Sequence, residues 1–294
     1  MTEHASISLP FADSSQERIA ACGHGNCAML RMLAGFLRLP ILQEEDESPA
    51  VMISEELPTT DGWEEWTGVT GFKGRILWMP DTFRFHFQIP PAKRYAIVPI
   101  IRRAFNLASL RRTLFGRTTF VHGALLLFKE AGTATVLFGH SGIGKSTASE
   151  RFIRQGGSCL SDDKMLLSFH EDGRVLAQPT PTWSRFGVRE LDVDFSSIVP
   201  VSSILWLSRG ENDTIRAADP VQWRLTFVKS LSNVLEYPCN WLPQNVLRPI
   251  LEKVISLMPE IERHFGAFEL LGDLNGSIYL NLREFTNPVR QAPE

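Results

Sequence analysis

The 294-residue chain is expected to fold as an α/β protein built on a phosphate-binding loop, and three observations support this. Thr133–Phe138 is an apolar, β-branched run that reads as a buried strand. Gly139-His140-Ser141-Gly142-Ile143-Gly144-Lys145-Ser146 follows at once, the pattern G-x-x-x-x-G-K-S, continued by Thr147. A helix near 145–155 comes next and stops at Gly156-Gly157. In that order the glycines turn the backbone so that its N–H groups face an anion. Lys145 reaches the terminal phosphates, the Ser146 hydroxyl serves Mg²⁺, and the helix adds its positive dipole end. Backbone from Gly139, Ser141, Gly142, Ile143 and Gly144 and side chains from Lys145, Ser146 and Thr147 together make a site for a nucleoside triphosphate.

The earlier elements read as a separate α+β region over 1–115. Residues 1–20 are polar and are expected to be loosely ordered. Residues 27–37 place Met29, Leu30, Met32, Leu33, Phe36 and Leu37 at helical spacing. A short strand over 51–53 and a turn over 59–62 follow. Residues 75–79 and 83–89 form a hairpin-like pair around Pro80-Asp81. Phe83, Phe85 and Phe87 alternate there with Arg84 and His86, which puts His86 on the solvent face. Residues 92–110 read as a helix, with Pro99 delaying its start or kinking it. Arg102, Arg103, Arg111, Arg112 and Arg117 form a positive patch. It reads as a solvated helix end, with an acidic or phosphorylated docking partner as the alternative.

The second region, 116–294, continues with a strand over 120–128 that turns into the loop strand. A strand over 158–160 comes after the loop helix, then a hairpin of Lys164–Phe169 with 174–177 around His170-Glu171-Asp172-Gly173. A strand over 203–207, helices over 220–234 and 246–258, and strands over 268–271 and 277–280 complete the pattern.

Composition narrows the function classes. A net charge of −3 carries no footprint for nucleic acid, and 44% hydrophobic with 21% charged residues suits a soluble globular protein. No apolar run approaches the ~18 residues of a membrane span. The start Met-Thr-Glu-His lacks a basic lead into an apolar stretch, so no signal peptide is read. Four cysteines suit a reducing, cytoplasmic setting. Cys22-x-His24-x-x-Cys27 supplies too few ligands for tetrahedral zinc and reads as ordinary thiols beside a surface histidine.

Two further features carry chemistry. Asp162-Asp163 end a strand soon after the loop helix, where α/β ligands bind. One carboxylate there can serve Mg²⁺ while the other accepts a hydroxyl proton. His122-Gly123 lies on the strand just upstream of the loop, where a hairpin brings it toward the phosphates. It reads either as a structural strand histidine or as a contact to phosphate or base.

His122-Gly123, the loop and Ser161-Asp162-Asp163, in that order, resemble the HPr serine kinase/phosphorylase family over roughly 120–280. The resemblance implies a P-loop fold of the kind shared with ATP-using phosphoenolpyruvate carboxykinases. It implies Asp162 as the base toward a serine hydroxyl, His122 beside it, and Ser146 with Asp163 for Mg²⁺. The sequence departs from that family at Thr147, where the family carries Glu, and in having no L-E-I-R-G-L-G-I stretch. Arg185 is the nearest candidate for neutralising charge at the transferred phosphoryl group. The chain looks like the divergent members of that group found beside peptide-modification and polysaccharide gene sets.

The function expected is therefore ATP- and Mg²⁺-dependent phosphoryl transfer to a serine of a protein or small ribosomal peptide. Trp63, Trp66, Trp78 and 83–87 either dock that acceptor or form a second core. A homo-oligomer is compatible with this. A small-molecule kinase and a non-catalytic nucleotide binder are the alternatives.

Overall fold

The structure is a computed structural model of the chain. It describes all residues except 1–2, 43–48, 55, 57–58, 60, 68–72, 80–81, 89–96, 181–193, 240–243, 274–275 and 287–294. It is a mixed α/β protein with two sheets. Two compact units divide it. One holds Met1–Thr118 with Asp192–Ser196 and Glu236–Lys253; the other holds Thr119–Leu191, Ser197–Leu235 and Val254–Glu294.

In the first unit the opening segment is not loose, as its polarity suggested. β1 (His4–Pro10) and β2 (Gln16–Cys22) form a full antiparallel hairpin, His4 opposite Cys22 and Pro10 opposite Gln16. Ala5, Ile7 and Leu9 recur at a period of two and are buried, and that alternation outweighs the polar residues between them. After α1 (His24–Leu37) come β3 (Val51–Ser54), β4 (Trp63–Thr67), β5 (Lys73–Met79), β6 (Thr82–Gln88) and α2 (Ile97–Phe115). The sheet runs β1-β2-β3-β6-β5-β4, with β2-β3 and β3-β6 parallel and β5 antiparallel to both β4 and β6. The two helices pack on each other and both on β2.

Two further expectations change in this unit. His86 is not simply a solvent-face residue: its Nε2 lies 2.5 Å from the Ser54 Oγ. Arg111 and Arg112 are not a solvated helix end. Arg111 pairs with Glu17, which is 3% exposed, and Arg112 donates to Asp13 Oδ2 at 2.7 Å. Burial pushes the Glu17 carboxyl up, against the pull of the two guanidinium groups. The Arg102 and Arg103 side chains lie outside the described residues. His24 pairs with Glu3 at 2.8 Å, the buried Cys27 thiol donates to the Glu3 and Ala21 carbonyls at 3.4 and 3.5 Å, and no group of three or more potential metal ligands occurs among the described residues.

The second unit is built on β7 (Thr118–Phe128), β8 (Thr133–Phe138), α3 (Lys145–Arg154), β9 (Ser158–Ser161), β10 (Lys164–Phe169), β11 (Val175–Pro179), β12 (Val199–Arg209) and β13 (Thr214–Ala217). α4 (Pro220–Cys239) and α5 (Gln244–Phe265) follow, of which Glu236–Lys253 counts with the first unit, and the second unit ends with β14 (Phe268–Gly272) and α6 (Ile278–Thr286). The sheet order is β11-β10-β7-β8-β12-β14-β13, with β9 also paired to β7. β11 pairs with β12 as well as with β10, so β7, β8, β12, β11 and β10 close a circuit. β8, β12 and β14 run parallel. Among the described residues no helix is long and apolar enough to cross a membrane.

The strand expected over 277–280 is instead the start of α6. Ile278 and Leu282 are fully buried at helical spacing, and Phe285 packs edge-to-face on Phe268 at 5.0 Å. A run as short as Ser277-Ile278-Tyr279-Leu280 does not distinguish strand from helix; the next turn does. A core cluster of this unit gathers Leu126, Leu137, Leu205, Leu270 and Leu282 with Ala148 and Phe152 of the loop helix.

Candidate functional site

β8 ends at Phe138, paired to Trp206 of the parallel β12, and the chain turns directly into the phosphate loop. Ligands in open α/β sheets bind at such carboxyl ends. The loop closes because Gly142 and Gly144 take φ of 77° and 111°, a region L side chains avoid. Gly144 is the residue before the first turn of α3, so the loop N–H groups open at a helix N-terminus. Ser141 and Gly142 are exposed, Ile143, Ser146 and Thr147 are half-buried, and Lys145 is 6% exposed. The Lys145 ammonium donates to the carbonyls of Gly139 at 3.0 Å and His140 at 3.1 Å. Burial lowers its pKa to about 8, although the Asp163 carboxylate pulls the other way.

That attraction marks where the second motif lies. Asp163 sits in the turn between β9 and β10, and its Oδ1 is 3.2 Å from His122 Nδ1. Both side chains are partly exposed, 17% for His122 and 25% for Asp163. Asp162 is 5% exposed and acts on Cys159, whose thiol burial pushes up to about 12. The adjacent carboxylates thus have different surroundings: one is buried and one faces the lysine.

Gly123 explains why His122-Gly123 occurs as a pair. It lies opposite Phe138, and its N–H donates to the Asp163 carbonyl at 2.9 Å. A Cβ there would stand 2.5 Å from the Leu137 carbonyl oxygen. Only glycine lets β7 press against β8 at the step before the loop while the neighbouring turn docks on the same residue. His122, Lys145 and Asp163, distant in sequence, are brought together in this way. Arg185 lies outside the described residues.

Sequence reasoning missed a buried clamp behind the loop. Arg151, on α3, donates to both carboxylate oxygens of Asp213 and to the carbonyls of Asp273 and Gly276. Asp213 also accepts the Asp273 N–H at 2.9 Å, and its carbonyl accepts from Asn281 at 2.6 Å. The clamp ties the loop helix to the segments after β12 and β14. An arginine in a polar helix reads as solvated, so its sequence carried no signal. A cleft between Thr147, Ser208 and Asp273 has a volume of only about 40 Å³. That suits one to a few waters and not a nucleobase.

The family whose description is "SynChlorMet cassette protein ScmC" matches residues 97–280, a span that holds the loop, His122 and both carboxylates. The chain belongs to the ScmC family. Among solved structures, this ScmC family member is similar to the Hpr(Ser) kinase/phosphatase from Coxiella burnetii. The identity is 13%, covering 59% of this chain and 95% of that one, with a TM-score of 0.30. No curated protein matches.

Proposed function

We propose that the chain is an ATP- and Mg²⁺-dependent kinase that phosphorylates a serine hydroxyl on a protein or small peptide, by a site of the HPr-kinase type. One observation carries this reading: His122 and Asp163 meet at 3.2 Å, with Asp163 also acting on the buried lysine of a phosphate loop. A nucleotide binder needs the loop; a carboxylate held against a histidine beside it serves proton transfer.

The residues fit the cofactors. The positive-φ glycines open N–H groups toward an anion, and among the described residues the Lys145 ammonium donates to two loop carbonyls rather than to a carboxylate. Mg²⁺ keeps several waters and substrate oxygens, so Ser146 with one carboxylate is a sufficient protein share. Bound Mg²⁺-ATP would supply the phosphoryl group and neutralise its charge. Lys145 orients the phosphates. The surroundings favour Asp163 as the carboxylate that accepts the acceptor's proton, with His122 orienting it and taking up charge. This exchanges the roles the resemblance implied, because Asp162 is buried against Cys159. Asp162 is then the carboxylate left to serve Mg²⁺, through water.

The test is intact-mass spectrometry of the chain with Mg²⁺-ATP and candidate peptides bearing serine. A gain of one phosphoryl group that disappears with Lys145→Ala supports the reading. With Asp163→Asn the rate is expected to fall by about 10²–10⁴-fold while ATP still binds. ATP binding without transfer to any peptide points to the non-catalytic alternative. Transfer only to small hydroxyl compounds points to a small-molecule kinase.

A further inference from the structure

The second unit holds a larger cavity at the end of β8 away from the phosphate loop. Its volume is about 520 Å³, within the range of pockets that enclose small molecules. Its wall includes Phe128, Phe265 and Tyr279, and its charged groups are Glu130, His264 and Arg283. Thr133, the first residue of β8, lines it, whereas the loop leaves after the last, roughly 17 Å along an extended strand. It is therefore separate from the site above.

The chemistry of the lining narrows the ligand. Phe128 and Tyr279 pack at 5.4 Å, and His264 stacks edge-on against Phe265 at 4.5 Å. These rings form an aromatic wall rather than a greasy slot, and they favour a planar apolar body. Arg283 contacts Glu130 at 3.4 Å, yet the two side chains are 59% and 74% exposed. An exposed pair of that kind contributes about 0–1 kcal/mol, so a better anion displaces it at little cost. A guanidinium grips a carboxylate with two parallel hydrogen bonds, and His264 adds a second polar group on the same rim. Ser202 and Thr133 offer hydroxyls for orientation.

We propose that this cavity is a second small-molecule site, for a ligand with an aromatic body and a single carboxylate held by Arg283. The site does not depend on the kinase reading. The rings it presents are in contact with the loop helix: Phe152 of α3 packs on Phe128 and on Tyr279, both at 5.1 Å.

The experiment is saturation-transfer NMR and calorimetry on the full chain. The probes are 3-phenylpropionate and indole-3-acetate, with 3-phenylpropanol and 3-phenylpropylamine as charge controls. The carboxylates are expected to bind at about millimolar strength or tighter and the controls at least about tenfold more weakly. Arg283→Gln is expected to erase that preference, and Ser202→Phe to abolish binding by filling the cavity, both with unchanged ATP binding. Binding should persist when ATP saturates the phosphate loop. The proposal is overturned if no probe binds, if the alcohol binds as well as the acid, if ATP displaces the probes, or if Arg283→Gln binds the acids as the wild type does. The comparison of acid with alcohol on the unaltered chain decides the matter even where a variant fails to fold.

Discussion

Lys145 is the residue whose ionisation most affects the site. Burial holds its pKa near 8, below its ordinary value. Between about pH 8 and 10.5 the unfolded chain therefore binds a proton that the folded chain has lost. Folded stability rises with pH across that window, and the cost of burying the charged form falls on the chain below it. An anion needs the charged form, so ATP affinity is expected to fall as pH rises through about 8. Calorimetry at pH 8.5 in buffers of different ionisation enthalpy should register proton uptake on binding. Heats independent of buffer would show that the lysine is already charged. Cys159 makes a simpler case. With its thiol pushed up to about 12, it should resist iodoacetamide at pH 8 in the folded chain and react on unfolding. Labelling of Cys159 at the rate of a free thiol, read by mass spectrometry, would contradict that.

At the scale of elements, α3 is held at both ends by different means. Its start depends on backbone geometry and its last turn on the Arg151–Asp213 clamp. Gly144→Ala places a side chain at φ of 111° and is expected to cost about 1–3 kcal/mol while weakening ATP binding. Arg151→Ala leaves the Asp213 carboxylate buried, 1% exposed, with its charge partner removed. The expected loss is about 3–5 kcal/mol in urea denaturation. A loss below about 1 kcal/mol would mean that the clamp is no more than a surface pair. β7 and β8 show the complementary case, in which a single glycine, Gly123, permits the close approach that orders the site.

At the scale of the whole molecule, the first unit is completed from distant sequence. Phe195 packs edge-to-face on Phe11 at 5.7 Å and on Phe105 at 5.1 Å, and its N–H reaches the Leu37 carbonyl. Phe195→Ala is expected to cost about 3–5 kcal/mol. A fragment of residues 1–118 lacks this ring and should be less stable than the same unit in the full chain. Circular dichroism with urea titration would test this; a fragment as stable as the unit in the intact chain would show that Phe195 fills no essential space.

The phosphate loop was legible because its function is local: glycine torsions, a lysine and a helix start act within a dozen residues. The strands of the second unit other than β13 were legible for the same reason, since their burial alternates or persists over a short window; β13, mostly exposed, carried no such pattern. The sequence also held His122-Gly123 and Asp162-Asp163, but a family resemblance alone assigned Asp162 as the base and Asp163 to Mg²⁺. Only the tertiary structure decided that Asp163 and not Asp162 meets His122, because that choice depends on how the β9–β10 turn docks on Gly123. It alone decided that Arg111 and Arg112 turn inward to Glu17 and Asp13, and that residues 277–280 begin a helix. In each case the deciding partner lies far along the chain, and a pattern read over neighbouring residues carries no information about it.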